Sequence, residues 1–478
     1  MRNIEHIYIN GQFVTPHGTE MADLVNPTTG QLTGQVRLGD VEDTRRAIAA
    51  ARAAFPAFSR TTKEERGAYL QKLHDAVAAR ADDAAQALVE EYGGPLKTSV
   101  GRSRYTAKMF LDVKKVMEDH AFVKTVGVSK VMLEPVGVVG IITPWNSSAW
   151  FIANKVATAI AAGCTVVVKP SELSAVQNQI LTECFHAAGL PPGVVNIVNG
   201  RGDVVGAEIS ANPGIDKISF TGSTLVGKTI ARAAVDTMKR VTLELGGKSA
   251  NVLLDDADFD KAIPMAIQAC FMNNGQACIA GTRLLVPAHR LEQVKRLAKA
   301  AAEAVTVGDP RDAGVALGPI VTSKQYERVQ HYIRIGIEEG AELLTGGPGK
   351  PQGLEAGYFV KPTVFANVTP SMTIAREEIF GPVLSILTYE TEDEAVAIAN
   401  DTPYGLQAYV SSTDLAHANR IAGRLIAGRV HINGMHDDLI APFGGFKQSG
   451  IGREFGPYGL DAYLEPKVIL GEAAQYPD

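Results

Sequence analysis

From Val136 onward the chain alternates short β-branched runs with helix-compatible segments: VGVVGIIT, a helix near 151–162, TVVVKP, a helix near 175–188, VVNIV, a helix near 203–211, then KISFTG. Strands that return after each helix are joined by crossovers instead of tight turns, which makes them parallel. The pattern predicts βαβ units and a doubly wound α/β sheet. A second series starts after Leu245 with NVLL, a helix near 259–272, TRLLVP and a helix near 290–304, followed later by VFANV and VLSILTY. Two such blocks in 478 residues, more than one hydrophobic core supports, imply two nucleotide-sized α/β domains with a crevice between them.

The N-terminal third reads differently. Ile7-Tyr8-Ile9 and Phe13-Val14 flank Asn10-Gly11, a hairpin signal. Residues 41–55 and 63–92 then carry helical apolar spacing, with capping residues between Asp40 and Asp43, so the region after the hairpin is expected to be largely helical. The segments near 115–135 and 460–475 fit neither block and read as extended arms that pair with each other or with another subunit.

Composition excludes several classes of function. A formal net charge of -6 without a long basic run argues against nucleic-acid binding. The N-terminus has charges where a signal peptide needs an apolar stretch, and no segment has about 18 consecutive apolar residues, so a cytoplasmic protein with no membrane partner is expected. Cys164, Cys184, Cys270 and Cys278 show no metal-pair spacing and make no disulfide framework, so no metal is expected.

Residues 222–229, from Gly222 to Gly227-Lys228-Thr229, match the phosphate-binding pattern GxxxxGK[ST] after the strand KISF, and NVLLDD offers an Asp for Mg²⁺. An ATPase or phosphotransferase is therefore the competing reading. Against it, the loop follows several βα units instead of opening the domain, and a dinucleotide GxGxxG is absent.

Three residues are candidates for chemistry. Cys278 follows an apolar helix on the polar turn Asn273-Asn274-Gly275-Gln276-Ala277, which presents a thiol at a surface; such a thiol is reactive if its thiolate is stabilised and inert otherwise. Glu244 opens the turn Leu245-Gly246-Gly247-Lys248, where a carboxylate is costly unless paired, as with Lys248, or used. Asn146 follows Thr143-Pro144-Trp145 at the carboxyl edge of a strand, where open α/β sheets bind ligands, and alone also reads as a turn residue.

Together these contexts resemble the aldehyde dehydrogenase superfamily over nearly the whole chain. The resemblance rests on ITPWN (142–146), KPSE (169–172), FTGS (220–223), LELGGKS (243–249), GQAC (275–278), EEIFGPV (377–383) and PFGGFKQSGIGRE (442–454), in the family's order. It implies a Rossmann-like dinucleotide-binding domain (1–114 and 136–246), a catalytic domain (247–447) and a small extended β oligomerisation arm (115–135 and 459–478) in a homo-oligomer, either dimer or tetramer.

The activity implied is oxidation of an aldehyde to the acid through a covalent thiohemiacetal and thioester on Cys278, with the Asn146 amide and the Cys278 N–H as oxyanion hole. Glu244 is the base for the hydrolytic water, since relatives that transfer the acyl group to coenzyme A tend to lack it. Lys155 matches a lysine used in proton relay or cofactor contacts, or is a solvated charge. The cofactor set implied is Ile142, Thr143, Pro144, Trp145, Lys169, Ser171, Glu172, Phe220, Thr221, Gly222, Ser223, Leu245, Gly246, Glu378 and Phe380. Glu172 at the adenosine ribose favours NAD over NADP, because a carboxylate repels a 2′-phosphate. Trp150, Phe151, Met272 and Ile279 resemble substrate-tunnel walls, with Ser147 and Ser148 widening the entrance and the variable loop 434–441 near it. Without an Arg or Lys among them, an uncharged aliphatic or aromatic aldehyde is expected. A non-catalytic relative is disfavoured by the presence of all three chemical residues.

Overall fold

The structure, a computed structural model, describes residues 2–470; the last part of the expected arm, 471–478, lies outside them. An eight-stranded sheet runs in the order Gly450–Ile451, Arg240–Glu244, Lys217–Thr221, Val138–Ile142, Thr165–Lys169, Val195–Ile197, Ile7–Ile9, Gln12–Val14. Its five middle strands from Arg240–Glu244 to Val195–Ile197 are parallel. The three central ones are buried at every residue, as strands covered on both faces must be. Strand order reverses between Val138–Ile142 and Lys217–Thr221, so a crevice opens beyond their carboxyl ends, at residues 143–146 and 222–223.

The helix Ser148–Ala162 follows the first central strand and is buried almost all round, packing with Leu70, Phe110 and Phe185. Each such Leu or Phe contributes roughly 1.5–3 kcal/mol by leaving water. That packing fixes the start of the helix, and with it Asn146, against the sheet.

A seven-stranded sheet follows: Glu342–Thr345, Thr363–Ala366, Val383–Tyr389, Arg283–Pro287, Ala250–Leu253, Gln407–Ser411, Arg429–Ile432. It is parallel except for its first strand. Five residues separate one of its inner strands from the first sheet: Glu244 ends one strand and Ala250 begins the other. The carboxyl edge of one sheet therefore faces the amino edge of the other, and the turn 245–249 lies between them.

The expected hairpin forms, with Tyr8 opposite Phe13 and both turn residues left-handed (Asn10 φ 53, Gly11 φ 79). The helices Val41–Phe58 and Lys63–Ala79 each start in a capping box, Asp40 with Asp43 and Thr62 with Glu65. The two extended arms pair with each other: Val123–Val126, Ser129–Pro135 and Leu464–Ile469 form an antiparallel sheet, Leu464 opposite Pro135. Their ends differ from expectation. Residues 115–119 complete the helix Leu96–Asp119, and 459–461 belong to the helix Gly456–Asp461. A three-stranded sheet of Arg2–Ile4, Met21–Asn26 and Gln31–Arg37 also stands where mostly helix was expected, because QLTGQVR has little apolar alternation to reveal it.

Candidate active site

The helix Phe259–Phe271 stops where Asn273 and Asn274 both turn left-handed, at φ 54 and φ 57. Two successive non-glycine residues in this region are strained, and asparagine tolerates it better than most. The surroundings hold them there. Tyr92 donates to the Asn273 carbonyl at 2.6 Å, and the Asn274 amide donates to the carbonyls of Gly93 and Pro319 at 2.9 and 3.1 Å. The Gln276 side chain bridges Tyr92 Oη (3.1 Å) and the Val321 N–H (3.1 Å).

Cys278 follows on the next turn, half-buried, while Cys164, Cys184 and Cys270 are buried. Its acidity does not set it apart. Burial, then the carboxyls of Glu378 and Glu244, push the Cys278 thiol up to about 12, as burial pushes Cys270 to about 12 and the other two to about 11. The shift runs the same way in all four thiols, so acidity is not what distinguishes Cys278; access and neighbours are.

Those neighbours come from both sheets. A Cβ on Gly247 would lie 2.4 Å from the Cys278 carbonyl oxygen, so the turn after Glu244 packs directly on the cysteine backbone and only glycine fits. A Cβ on Gly444 would meet Glu244 Oε1 at 2.6 Å, which brings the segment PFGG against the same carboxyl. Glu244 is buried, and among the described residues neither of its oxygens has a partner. Lys248 does not pair with it: its ammonium is also buried and without a partner. Desolvation, followed by the nearby Glu454, raises the Glu244 pKa well above its usual value. Asn146 is buried, and its amide donates to the Gln276 carbonyl at 2.9 Å, two residues before the cysteine.

Lys155 is fully buried and not a solvated charge. It forms an ion pair with Glu454 and donates to Ser219 Oγ at 3.0 Å, while Asn154 and Ser219 donate to the same carboxylate at 3.2 and 3.3 Å.

The crevice at the strand reversal gathers the expected cofactor residues. Ile142 ends one central strand, with Thr143 just beyond it, and Phe220 and Thr221 end the other; among the described residues the buried Thr143 and Thr221 hydroxyls have no protein partner. Beside them Lys169 donates to Glu172 Oε2 at 3.0 Å, and Ser171 caps the short turn Glu172–Ser174. Ser223 caps the helix Thr224–Val235, whose first N–H groups face the crevice end. Across it, Glu378 accepts from the Gly247 N–H at 3.0 Å with its pKa raised to about 7 by burial. Phe380 holds a left-handed backbone (φ 62), and its ring meets Trp145 edge-on at 5.4 Å. Orphaned hydroxyls, an open helix start and a carboxylate beside a lysine suit the hydroxyls and phosphates of a dinucleotide.

The phosphotransferase alternative loses its parts. Lys228 is exposed and donates to Gln448 at 2.9 Å, and Thr229 bonds back to the Leu225 carbonyl, so neither faces an anion on the loop. Asp255 is taken by His289 and Arg290, and Asp256 by Ser412 and Thr413. Among the described residues no cluster of His, Cys, Asp and Glu forms a metal site. No helix of the described residues is long and apolar enough to cross a membrane.

Of the expected tunnel residues, Trp150 packs edge-on against Phe151 (5.2 Å) and Phe455 (5.4 Å), and Met272 and Ile279 flank the cysteine turn. Phe443 joins this aromatic wall at 5.6 Å from Phe455, with the Arg429 guanidinium 5.0 Å from its centre. Arg429 also binds the carbonyls of Asp438, Ala441 and Pro442, tying the variable loop down. Arg102, outside the expected wall residues, donates to Ser147 Oγ at 3.0 Å and to the Asn146 carbonyl at 3.4 Å. Tyr92, Arg102, Glu454 and Arg429 were missed in the sequence. The run Asn-Asn-Gly signalled a left-handed turn and Glu454 closes a quoted motif; Arg102 sits on an ordinary helix and carried no signal.

Residues 13–469 match the aldehyde dehydrogenase family. The chain is 46% identical over 473 residues to a 3-succinoylsemialdehyde-pyridine dehydrogenase of a Pseudomonas species, covering 98% of this chain and 99% of that one. Among solved structures it is similar to a Cys-to-Ala mutant of Aldehyde Dehydrogenase C from Pseudomonas syringae in complex with NAD+ and octanal. That likeness has a TM-score of 0.97 at 46% identity and covers 99% of this chain and 98% of the other. An aldehyde dehydrogenase from Bartonella henselae gives a TM-score of 0.96 at 40% identity, covering 98% and 99%.

Proposed function

The chain belongs to the aldehyde dehydrogenase family, and from that premise we propose that it oxidises an aldehyde to the carboxylic acid with NAD, by hydrolysis of a thioester on Cys278. The observation that carries this reading is the buried, unpartnered carboxyl of Glu244 on the turn that packs against the Cys278 carbonyl.

Sulfur attack on the formyl carbon requires the thiol proton to leave. Glu244, whose surroundings raise its proton affinity, is a strong base once ionised. The oxygen of the resulting thiohemiacetal carries negative charge, for which the second N–H of the Asn146 amide and the Cys278 N–H are the donors. Losing one such donor costs about 3–4 kcal/mol of barrier. Bound NAD supplies the hydride acceptor. Lys169, Ser171 and Glu172 are suited to its adenosine ribose, Ser223 and the following helix start to its pyrophosphate, and Glu378 and Phe380 to the nicotinamide end. Glu172 favours NAD over NADP. Once it has passed the thiol proton onward, Glu244 takes a proton from the water that hydrolyses the thioester. The Lys155–Glu454 pair, close enough to perturb Glu244, gives that proton a way onward.

The three-stranded arm supports a homo-oligomer: Val123, Val126, Val128 and Val468 are exposed on or beside it, apolar surface suited to another copy.

The test is a panel of aliphatic, aromatic and carboxylated aldehydes with NAD or NADP, following reduced-cofactor absorbance and the acid product. Cys278→Ala is expected to lower turnover by about 10⁴-fold or more. Full turnover in that variant, or acyl-coenzyme A as the product when coenzyme A is added, overturns the reading.

A further inference from the structure

The Asn146 amide is anchored by one of its two N–H groups, which donates to the Gln276 carbonyl at 2.9 Å. A carbonyl only accepts, so this bond fixes which end of the amide is nitrogen and sets the direction of its second N–H. The same Gln276 carbonyl accepts from Asn273 Nδ2 at 3.1 Å, and Asn273 Nδ2 also donates to the Asn146 carbonyl at 3.0 Å. Asn273 therefore ties the backbone of Asn146 to the peptide two residues before Cys278.

Arg102, half-buried on the helix Leu96–Asp119, decides how Asn273 lies. Its Nη1 donates to Asn273 Oδ1 at 2.7 Å, to Ser147 Oγ at 3.0 Å and, longer, to the Asn146 carbonyl at 3.4 Å. A guanidinium only donates, so the Asn273 amide must turn its oxygen to Arg102 and its nitrogen to the two carbonyls; flipped, it would set oxygen against oxygen and N–H against N–H. The backbone of Asn273 is held as well, left-handed at φ 54, by Tyr92 donating to its carbonyl at 2.6 Å. Among the described residues no carboxylate pairs with Arg102, so its hydrogen bonds go to the residues around Asn146 and to no counter-charge.

We propose that Arg102 is a positioning residue for the reaction: through Asn273 it holds the Asn146 amide where its second N–H meets the aldehyde oxygen once Cys278 has attacked. The proposal rests on the reading of Cys278 and Asn146 above and adds the residue that aims the donor. Negative charge gathers on that oxygen only as the sulfur–carbon bond forms. An amide held off line therefore fails in the transition state and not in substrate binding, so the loss falls on kcat and leaves KM near its native value.

The experiment is a double-variant cycle on Arg102→Met and Asn146→Ala, with NAD and whichever aldehyde of the panel the native chain oxidises fastest, joined to alkylation of Cys278 by iodoacetamide. Arg102→Met should lower kcat by about 100-fold with little change in KM, and Arg102→Lys, which keeps a donor for Asn273, should recover about 10-fold of that loss. Asn146→Ala should lower kcat by about 10²–10³-fold. The double variant should be no slower than Asn146→Ala alone, because an amide that is gone cannot be misaimed. Iodoacetamide forms a bond to the sulfur and expels iodide without building an oxyanion. Its rate at Cys278, followed by peptide mass, should therefore stay within about 2-fold of native in Arg102→Met. Losses that multiply in the double variant, or alkylation slowed as much as kcat, would mark an arginine that only supports the cysteine turn, and overturn the proposal. Native kcat in Arg102→Met beside a slow Asn146→Ala overturns the proposal alone. Native turnover in Asn146→Ala overturns the reading of Asn146 as the donor, and the proposal with it.

Discussion

Two buried polar regions of this molecule treat charge in opposite ways. Around Lys155 the ammonium, the Glu454 carboxylate, Ser219 and the Asn154 amide bond to one another. Around the turn 245–249, Glu244 and Lys248 are as deeply buried, yet their carboxyl and ammonium atoms have no protein partner. An unmet buried carboxyl costs stability wherever it stands, so a fold keeps one only where something other than stability requires it. On the proposed function, the paired region is structure that supports the reaction and the unpaired one is where it is done.

Each region can be probed by removing its charge. Glu244→Gln should lower steady-state turnover by about 10³-fold while still giving a burst approaching one reduced cofactor per site, slower than the native chain's and seen by stopped flow, because the thiol can lose its proton to water whereas the hydrolytic water has no other base. The same variant should unfold no earlier than the native chain, since no partner is lost. A linear progress curve without a burst would break the comparison.

Lys155→Met should cost about 3–5 kcal/mol in urea denaturation, since it strands Glu454, and the double variant with Glu454→Leu should recover most of that loss. If Lys155→Met is as stable as the native chain, the two regions do not differ as argued.

The smallest effect concerns pH. The Glu378 carboxyl, raised from 4.5 to about 7 by burial, contributes stability that is full below 4.5 and is lost as pH rises through about 7. Glu378→Gln cannot ionise. It should therefore gain about 1–2 kcal/mol on the native chain between pH 5 and pH 8, allowing for partial exposure. Parallel stability curves for the two proteins would place that carboxyl in solvent.

The alternation of β-branched runs with helical segments was enough to indicate two parallel sheets, because a strand buried on both faces favours apolar residues, but Arg240–Glu244, Gln407–Ser411 and Arg429–Ile432 were not among the strands it marked. The hairpin at Asn10-Gly11 was legible for a similar reason, since few residue pairs accept two left-handed conformations in a row. The arms were legible as segments that fit no block, although not where their flanking helices stop. Candidate chemistry was visible as Cys278, Glu244 and Asn146 on loops at strand and helix ends, and their grouping came from the order of motifs.

Spatial neighbours across long separations were not legible. Arg102 meets Asn146 and Asn273 from 44 and 171 residues away, and Lys155 meets Glu454 across 299. Local periodicity describes which face of an element is buried, and says nothing of which distant side chain shares that burial. Nor did residue type reveal that burial raises the Cys278 thiol, that Glu244 stands without Lys248, or that Arg102 reaches Asn146 and Ser147. Those are consequences of desolvation and of unmet hydrogen bonds, which exist only once the chain has closed around them.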